Sequence, residues 1–419
     1  MINISTLLDP RYVFLIYAPI LFAVNKRVGH RMVLALTLAE WANQILKWLL
    51  AGERPYWYVH ERANELRGAL GQSSDSVQPA SSDGLALGQL NASATDSSEL
   101  DADGLVASLR QFPVTCELGA GSPSGHAMVT ATVWYILIDA YLKGELPLLG
   151  RVNYASIRAR QAASRKEGDQ QQRGDLAETN WSALARLSWS LYTLMLVAVS
   201  LSRVYLACHF PHQCLCGALL GALTARLVAE QVPMESLRKR HFATLTGFMF
   251  SSALATYALL RLSGFDPLWS VSKGMRWCIS PDYIHLDTTP FFSMMRYLGF
   301  CLGCGLAYDA SKVISGNNRA QAEEEQHLEA SDGSSEGGNR KQSGNQNQML
   351  LLRRVVGAAL AIAFGQFLLS LPAPRSNMNL FYLISFLIYT LFSYSIAGPI
   401  PQLAKSVLGG ARQQKQKAN

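Results

Sequence analysis

Long apolar runs separated by polar loops set the pattern of this chain. They lie near residues 2–24, 32–50, 126–142, 185–202, 213–230, 242–262, 291–310, 351–371 and 379–400. Each approaches the ~20 residues an α-helix needs to cross a bilayer. Only helices and closed barrels satisfy their backbone in lipid, and runs of this length predict helices. The expected fold is an all-α polytopic membrane protein, with about nine transmembrane helices in one unit over residues 1–419. Asp9, Pro10 and Arg11 interrupt the first run and blur its extent. Three polar stretches read as disordered loops: 70–108, 160–180 and 316–349. Their Ser-, Gln- and Glu-rich composition cannot bury enough apolar surface to order itself. The sequence carries no internal repeat.

Charge gives the orientation. The chain is 49% hydrophobic and 16% charged, with a net charge of +7. The basic residues sit in short loops between apolar runs, which fits membrane orientation and argues against a nucleic-acid partner. Lys26, Arg27 and Arg31 follow the first run. Lys143, Arg151, Arg158, Arg160, Arg165, Lys166 and Arg173 follow the third. Arg238, Lys239 and Arg240 follow the fifth, and Lys405, Arg412, Lys415 and Lys417 form the tail. With nine spans these four groups share one side, expected to be cytosolic, and the N-terminus lies on the other. No cleavable signal peptide is evident, so the first run reads as an anchor. The seven cysteines follow no zinc spacing. Cys301 and Cys304 lie within an apolar run and read as helix-packing residues. Cys116 and Cys278 lie in non-cytosolic loops and are candidates for a disulfide.

Candidate chemistry gathers at the non-cytosolic helix ends. Run two ends in KWLLAGERPYW, which supplies Lys47 and Arg54. Run three opens with GAGSPSGHAM, a small-residue loop delivering His126 to a helix start, where exposed N–H groups favour anions. Run four ends in SRVYLACHFPHQ, which supplies Ser202, Arg203 and His209. Alternation places these three helix ends, and the start of run five, on one face. Three cations, two histidines and a glycine-rich helix start suit a phosphate dianion. Arginines pair with phosphate oxygens, and preorganised cations stabilise the charge that spreads during phosphoryl transfer. Taken singly, Lys47 and Arg54 also read as snorkelling anchors. The full set does not.

The three motifs K-x6-R-P, P-S-G-H and S-R-x5-H resemble those of the type-2 phosphatidic acid phosphatase and vanadium haloperoxidase superfamily. The resemblance implies His209 as the phosphorus-attacking nucleophile and His126 as proton donor and acceptor. It implies phosphate binding by Lys47, Arg54 and Arg203, with Ser124 and Gly125 assisting through side chain and backbone N–H. No metal or cofactor is implied. The superfamily usually has an aspartate four residues after the nucleophile; here Gln213 stands there and is expected to orient the ring as a neutral amide. HFPHQ, QFPVTCELGAGSPSGHAM and RWCISPDYIHLDTTPF at 276–291 are similar to the glucose-6-phosphatases within that superfamily.

That likeness implies a phosphatase of the endoplasmic reticulum membrane, converting glucose 6-phosphate to glucose in gluconeogenesis and glucose release. Its active site would be luminal and its C-terminus cytosolic. The implied partners are a sugar phosphate, membrane lipid and a glucose-6-phosphate transporter. Asp9, an acid inside a membrane run, resembles an aspartate of the family's first span. It reads as a partner of a sugar hydroxyl or an active-site arginine, or as a plain helix-end residue. The tail KQKAN, with Lys415 and Lys417, matches a dilysine retrieval signal, and Asn91 opens a glycosylation sequon. The alternatives are a lipid-phosphate phosphatase and a non-catalytic phosphate-ester transporter. Gln213 and the 276–291 segment argue against the first, and the intact cation–histidine set against the second.

Overall fold

The structure, a computed structural model, describes residues 12–69, 109–146, 171–284, 288–309, 337–371 and 377–407. Asp9, Asn91, Lys415, Lys417 and the 70–108 stretch lie outside them. The described residues form helices and no strand. Nine helices coincide with the nine apolar runs: α1 (Val13–Val24), α2 (Lys26–Leu50), α4 (Gly125–Leu142), α5 (Gln171–Tyr205), α6 (Pro211–Gln231), α7 (Lys239–Leu262), α9 (Pro290–Leu306), α10 (Gly337–Ser370) and α11 (Met378–Ala397). Two shorter helices, α3 (Pro55–Ala69) and α8 (Trp269–Trp277), lie between runs. Local chemistry starts these helices where expected. Asn25 caps α2 by accepting from the Arg27 and Val28 N–H groups, and α6 and α9 begin with Pro211 and Pro290.

Five segments are long and apolar enough to cross a membrane: Ser182–Tyr205, Pro211–Gln231, Lys239–Leu262, Gln348–Ser370 and Met378–Val407. They carry outward leucine stripes such as Leu215, Leu219, Leu223 and Leu227 on α6. Such a stripe suits lipid and would be a liability in water. α2 fails the same measure for a physical reason. It lies at the centre, against α1, α4, α6, α7, α9 and α11, so protein rather than lipid covers it. It can therefore carry charge: Glu40 pairs with Arg296 at 3.4 Å, and Arg31 with Glu145 at 2.6 Å.

Glycines set how closely the helices approach. A Cβ on Gly217 of α6 would lie 2.4 Å from the Ser124 carbonyl oxygen, and one on Gly221 would lie 2.2 Å from that of Met128. This one-turn spacing lets α6 lie flat against the start of α4. On α9, a Cβ on Gly303 would lie 2.1 Å from the Thr390 carbonyl, which brings α9 against α11. Cys301 and Cys304 are buried on α9, in the packing role expected of them.

The disorder expected over 160–180 and 316–349 is corrected in part. Residues 171–180 belong to α5 and 337–349 to α10. Once an apolar segment has nucleated a helix, each added residue forms a further hydrogen bond, and Gln, Arg and Ala extend it at little cost.

Candidate active site

Four chain segments meet at one end of the bundle. α2 leaves through Ala51, at φ 45°, and hands the chain to the Gly52–Arg54 turn. The loop 109–124 precedes α4. α5 ends at Tyr205, and Ala207, at φ 55°, turns the chain sharply to deliver His209 just before α6. α8 and the following segment lie over this end. Cys116 is bonded to Cys278, Gln111 Nε2 donates to the Trp277 carbonyl at 2.9 Å, and the Leu118 N–H donates to Thr288 Oγ1 at 3.0 Å. Lys273 of α8 pairs with Glu53 at 2.8 Å and Glu61 at 2.7 Å. The described residues of the 276–291 segment are thus part of the clasp around the site.

Arg54 is fully buried and organises the centre. Its Nε donates to the Gly119 carbonyl at 2.7 Å, and its terminal nitrogens donate to the Ala120 carbonyl at 3.3 Å and the Cys208 carbonyl at 3.0 Å. One of them also lies 3.3 Å from His209 Nε2. Arg203 is equally buried on the last turn of α5. His126 is the second residue of α4. Lys47 of α2 reaches the same loop, its Nζ 3.5 Å from where a Gly119 Cβ would be.

Glu117, which the motifs do not mark, joins these groups. One carboxylate oxygen is 2.9 Å from Arg54 and 3.7 Å from His209 Nε2. The other accepts from Arg203 and lies 3.4 Å from His126 Nδ1. Burial raises the pKa of this carboxyl, but Arg203 and then Arg54 outweigh it and hold it well below the usual carboxylate range. The sequence carried one usable signal: an acid inside CELGAG, eight residues before the GH pair, of the charge that two buried arginines require.

His209 is fully buried, and its Nδ1 lies 2.8 Å from the Gly121 carbonyl oxygen. A carbonyl only accepts, so Nδ1 carries the proton and Nε2 presents its lone pair. Burial first, then Arg54, lower the pKa of this ring to about 3, so it stays neutral.

Two expectations are corrected. Gln213 does not hold the His209 ring. As the third residue of α6 it folds back, its Oε1 accepting from the Phe210 N–H at 3.1 Å and its Nε2 donating to the Glu53 carbonyl at 2.8 Å. It braces the loops instead. Within GAGSPSG, Gly121 is small for packing and the Gly121 and Ser124 N–H groups are already bonded. A Cβ on Gly121 would lie 2.3 Å from the Glu53 carbonyl, and the Gly121 N–H is already donated to Gly52 at 2.7 Å. The Ser124 N–H donates to the Gln213 carbonyl at 3.0 Å, so it is not available to an anion. Ser124 Oγ is buried beside the Cys214 thiol without a hydrogen bond of ordinary geometry. Gly125 begins α4, at the helix start where anions are favoured.

The PAP2 superfamily profile matches residues 29–236, which contain every residue of the cluster. "Glucose-6-phosphatase 2" of Mus musculus is 33% identical over 306 residues, covering 73% of this chain and 69% of that protein. The Homo sapiens "Glucose-6-phosphatase 2" is 32% identical over 314 residues, covering 74% and 72%. "Glucose-6-phosphatase catalytic subunit 1" of Rattus norvegicus is 31% identical over 308 residues, covering 74% and 69%. No solved structure matches the chain. Two arginines, two histidines and a length of shared sequence that runs far beyond them place this chain among the phosphoric monoester hydrolases: it belongs to the glucose-6-phosphatase family.

Proposed function

We propose that this chain hydrolyses glucose 6-phosphate to glucose and phosphate at the luminal face of the endoplasmic reticulum membrane. The observation that carries the reading is His209 Nε2, left free by the Nδ1 bond to Gly121, beside Arg54 and the Glu117 carboxylate that Arg203 and His126 also contact. The Nε2 lone pair attacks phosphorus, and the bond from phosphorus to the sugar oxygen breaks. His126 gives its proton to that oxygen, so glucose leaves as a neutral alcohol. Arg54, Arg203 and Lys47 take the charge on the equatorial oxygens. Water then gives its proton to His126 and its oxygen to phosphorus. The nitrogen–phosphorus bond breaks, and both histidines return to their first state. The Gly121 carbonyl keeps its hydrogen bond to Nδ1–H throughout and steadies the positive ring of the phosphohistidine.

In this reading all nine apolar helices cross the membrane. The site and N-terminus are luminal, Asn91 is glycosylated, and Lys415 and Lys417 act from a cytosolic tail. Asp9, outside the described residues, serves in this reading as a partner of a sugar hydroxyl or an active-site arginine. A transporter supplying glucose 6-phosphate to the lumen fits the same placement.

The test is phosphate release by membranes carrying the chain. Glucose 6-phosphate should be hydrolysed faster than mannose 6-phosphate and far faster than phosphatidic acid. Preference for phosphatidic acid would establish the lipid phosphatase instead, and sugar-phosphate flux without phosphate release a transporter. Loss of a glycosidase-sensitive mass shift in Asn91→Gln checks the topology.

A further inference from the structure

We infer that Glu117 contests the phosphoryl seat: its carboxylate must leave Arg54 and Arg203 before a phosphoryl group can reach His209. The inference rests on the phosphoryl-transfer reading above and deepens it.

Geometry makes the conflict. A nucleophile attacks from about 3–3.5 Å. A Glu117 oxygen lies 3.7 Å from His209 Nε2, inside the volume the phosphoryl group needs. The same oxygen is 2.9 Å from Arg54, and its twin accepts from Arg203, so the carboxylate already uses the N–H groups that would bind phosphate. Two anions cannot share those donors at contact distance without strong repulsion.

The backbone cannot relieve the conflict. Cys116 is tied to Cys278, Tyr56 Oη donates to the Glu117 carbonyl at 3.0 Å, and Arg54 fastens Gly119. Only the Glu117 side chain is left to move. When it turns away from the arginines, the contact it can keep is His126 Nδ1, at 3.4 Å. A carboxylate there fixes the ring so that its other nitrogen faces the leaving oxygen. Glu117 is therefore a positioning residue with two stations. It fills the cation pair until phosphate arrives, then supports the proton donor. Arriving phosphate meets a pair of arginines already desolvated and aligned, which reduces the reorganisation left to the reaction.

Three variants of the full-length chain in membranes test this, with vanadate and orthophosphate as competitive inhibitors. Glu117→Asp is decisive. It keeps the charge that the buried arginines require but withdraws the oxygens by about 1.5 Å. Vanadate and orthophosphate should each bind about tenfold more tightly to Glu117→Asp than to wild type, the loss of roughly one hydrogen bond's worth of competition. KM should fall while kcat does not rise. In Glu117→Ala, added formate should compete with vanadate, while wild type ignores formate. Tightening in Glu117→Gln alone, with Glu117→Asp at the wild-type value, would mean that charge acts without occupancy, and overturns the proposal. Equal or weaker vanadate binding in Glu117→Asp overturns it as well. If vanadate fails to inhibit wild type, the phosphoryl-transfer reading falls and takes this inference with it.

Discussion

The His209 Nδ1–H and the Gly121 carbonyl oxygen, 2.8 Å apart, decide which ring nitrogen is free to react. The partner is a neutral backbone dipole where the superfamily usually supplies a carboxylate. It fixes the tautomer without adding negative charge beside the ring, and so does not oppose the lowering of the ring's pKa by burial and Arg54. Gly121 is itself pinned, because nothing larger fits against the Glu53 carbonyl.

Gln213 should therefore act through loops and not through the ring. Gln213→Ala removes its bonds to Phe210 and Glu53 and should cost about tenfold in kcat/KM through misplacement. Gln213→Asp should leave the acid limb of the pH profile where wild type has it, because this side chain does not touch His209. Gly121→Ala should be worse, at about a hundredfold, because a methyl group must displace the loop carrying the ring's acceptor. Profiles of kcat/KM against pH for all three variants check the order and the unmoved limb.

The low pKa of His209 has two consequences of opposite value to the protein. The nucleophile stays unprotonated down to about 3, so its own acid limb lies far below the ordinary histidine value of about 6.5. The unfolded chain, however, takes up a proton at about 6.5 that the folded ring refuses. The stability this group contributes is complete above that value and falls as pH drops towards about 3. Thermal unfolding should show Tm declining below about pH 6.5 in wild type, and declining less in His209→Asn. Identical slopes would show that His209 titrates normally in the fold.

Much of this was legible in the sequence because it lies in periodicity and motif. Apolar runs located the helices, and alternation put Lys47, Arg54, His126, Arg203 and His209 at one end. What escaped was contact between segments remote in sequence. Gln213 looked like a ring partner at helical spacing, but as the third residue of α6 its amide had a backbone N–H closer to hand. Gly121 looked like part of an anion cradle, yet the facing Glu53 carbonyl explains its size. Glu117 had no motif, and only the folding of the 109–124 loop over both arginines reveals it. The apolar run of α2 reads as a span, but its place at the centre of the bundle, covered by neighbouring helices, is invisible to hydropathy.

The Cys116–Cys278 bond closes 162 residues of chain and holds the loop bearing Glu117 under α8. Its loss should lower stability by about 2–4 kcal/mol. Cys116→Ser and Cys278→Ser each remove the same bond, so the double variant should be no less stable than either single one. Thermal denaturation of the four proteins in detergent reads this directly. Additive losses would mean that the two sulfurs act separately.

The two histidines should separate cleanly under a good leaving group. His209→Ala lacks the attacking nitrogen, so no phosphoenzyme forms with any substrate. His126→Ala keeps the buried Nε2 and its Gly121 partner but has nothing to protonate the leaving oxygen or to activate water. On glucose 6-phosphate, whose leaving alkoxide is strongly basic, it should lose about two to four orders of magnitude in kcat, the usual weight of a general acid. On a nitrophenyl phosphate the leaving group departs without a proton, so the first step survives and the second stalls. Label should then accumulate on His126→Ala and never on His209→Ala. A rapid quench with radiolabelled phosphate ester, followed by counting of base-stable, acid-labile phosphate on the protein, makes the measurement. Equal labelling of the two variants would reverse or abolish the assignment, whereas label on His126→Ala alone identifies His209 Nε2 as the atom that bonds phosphorus.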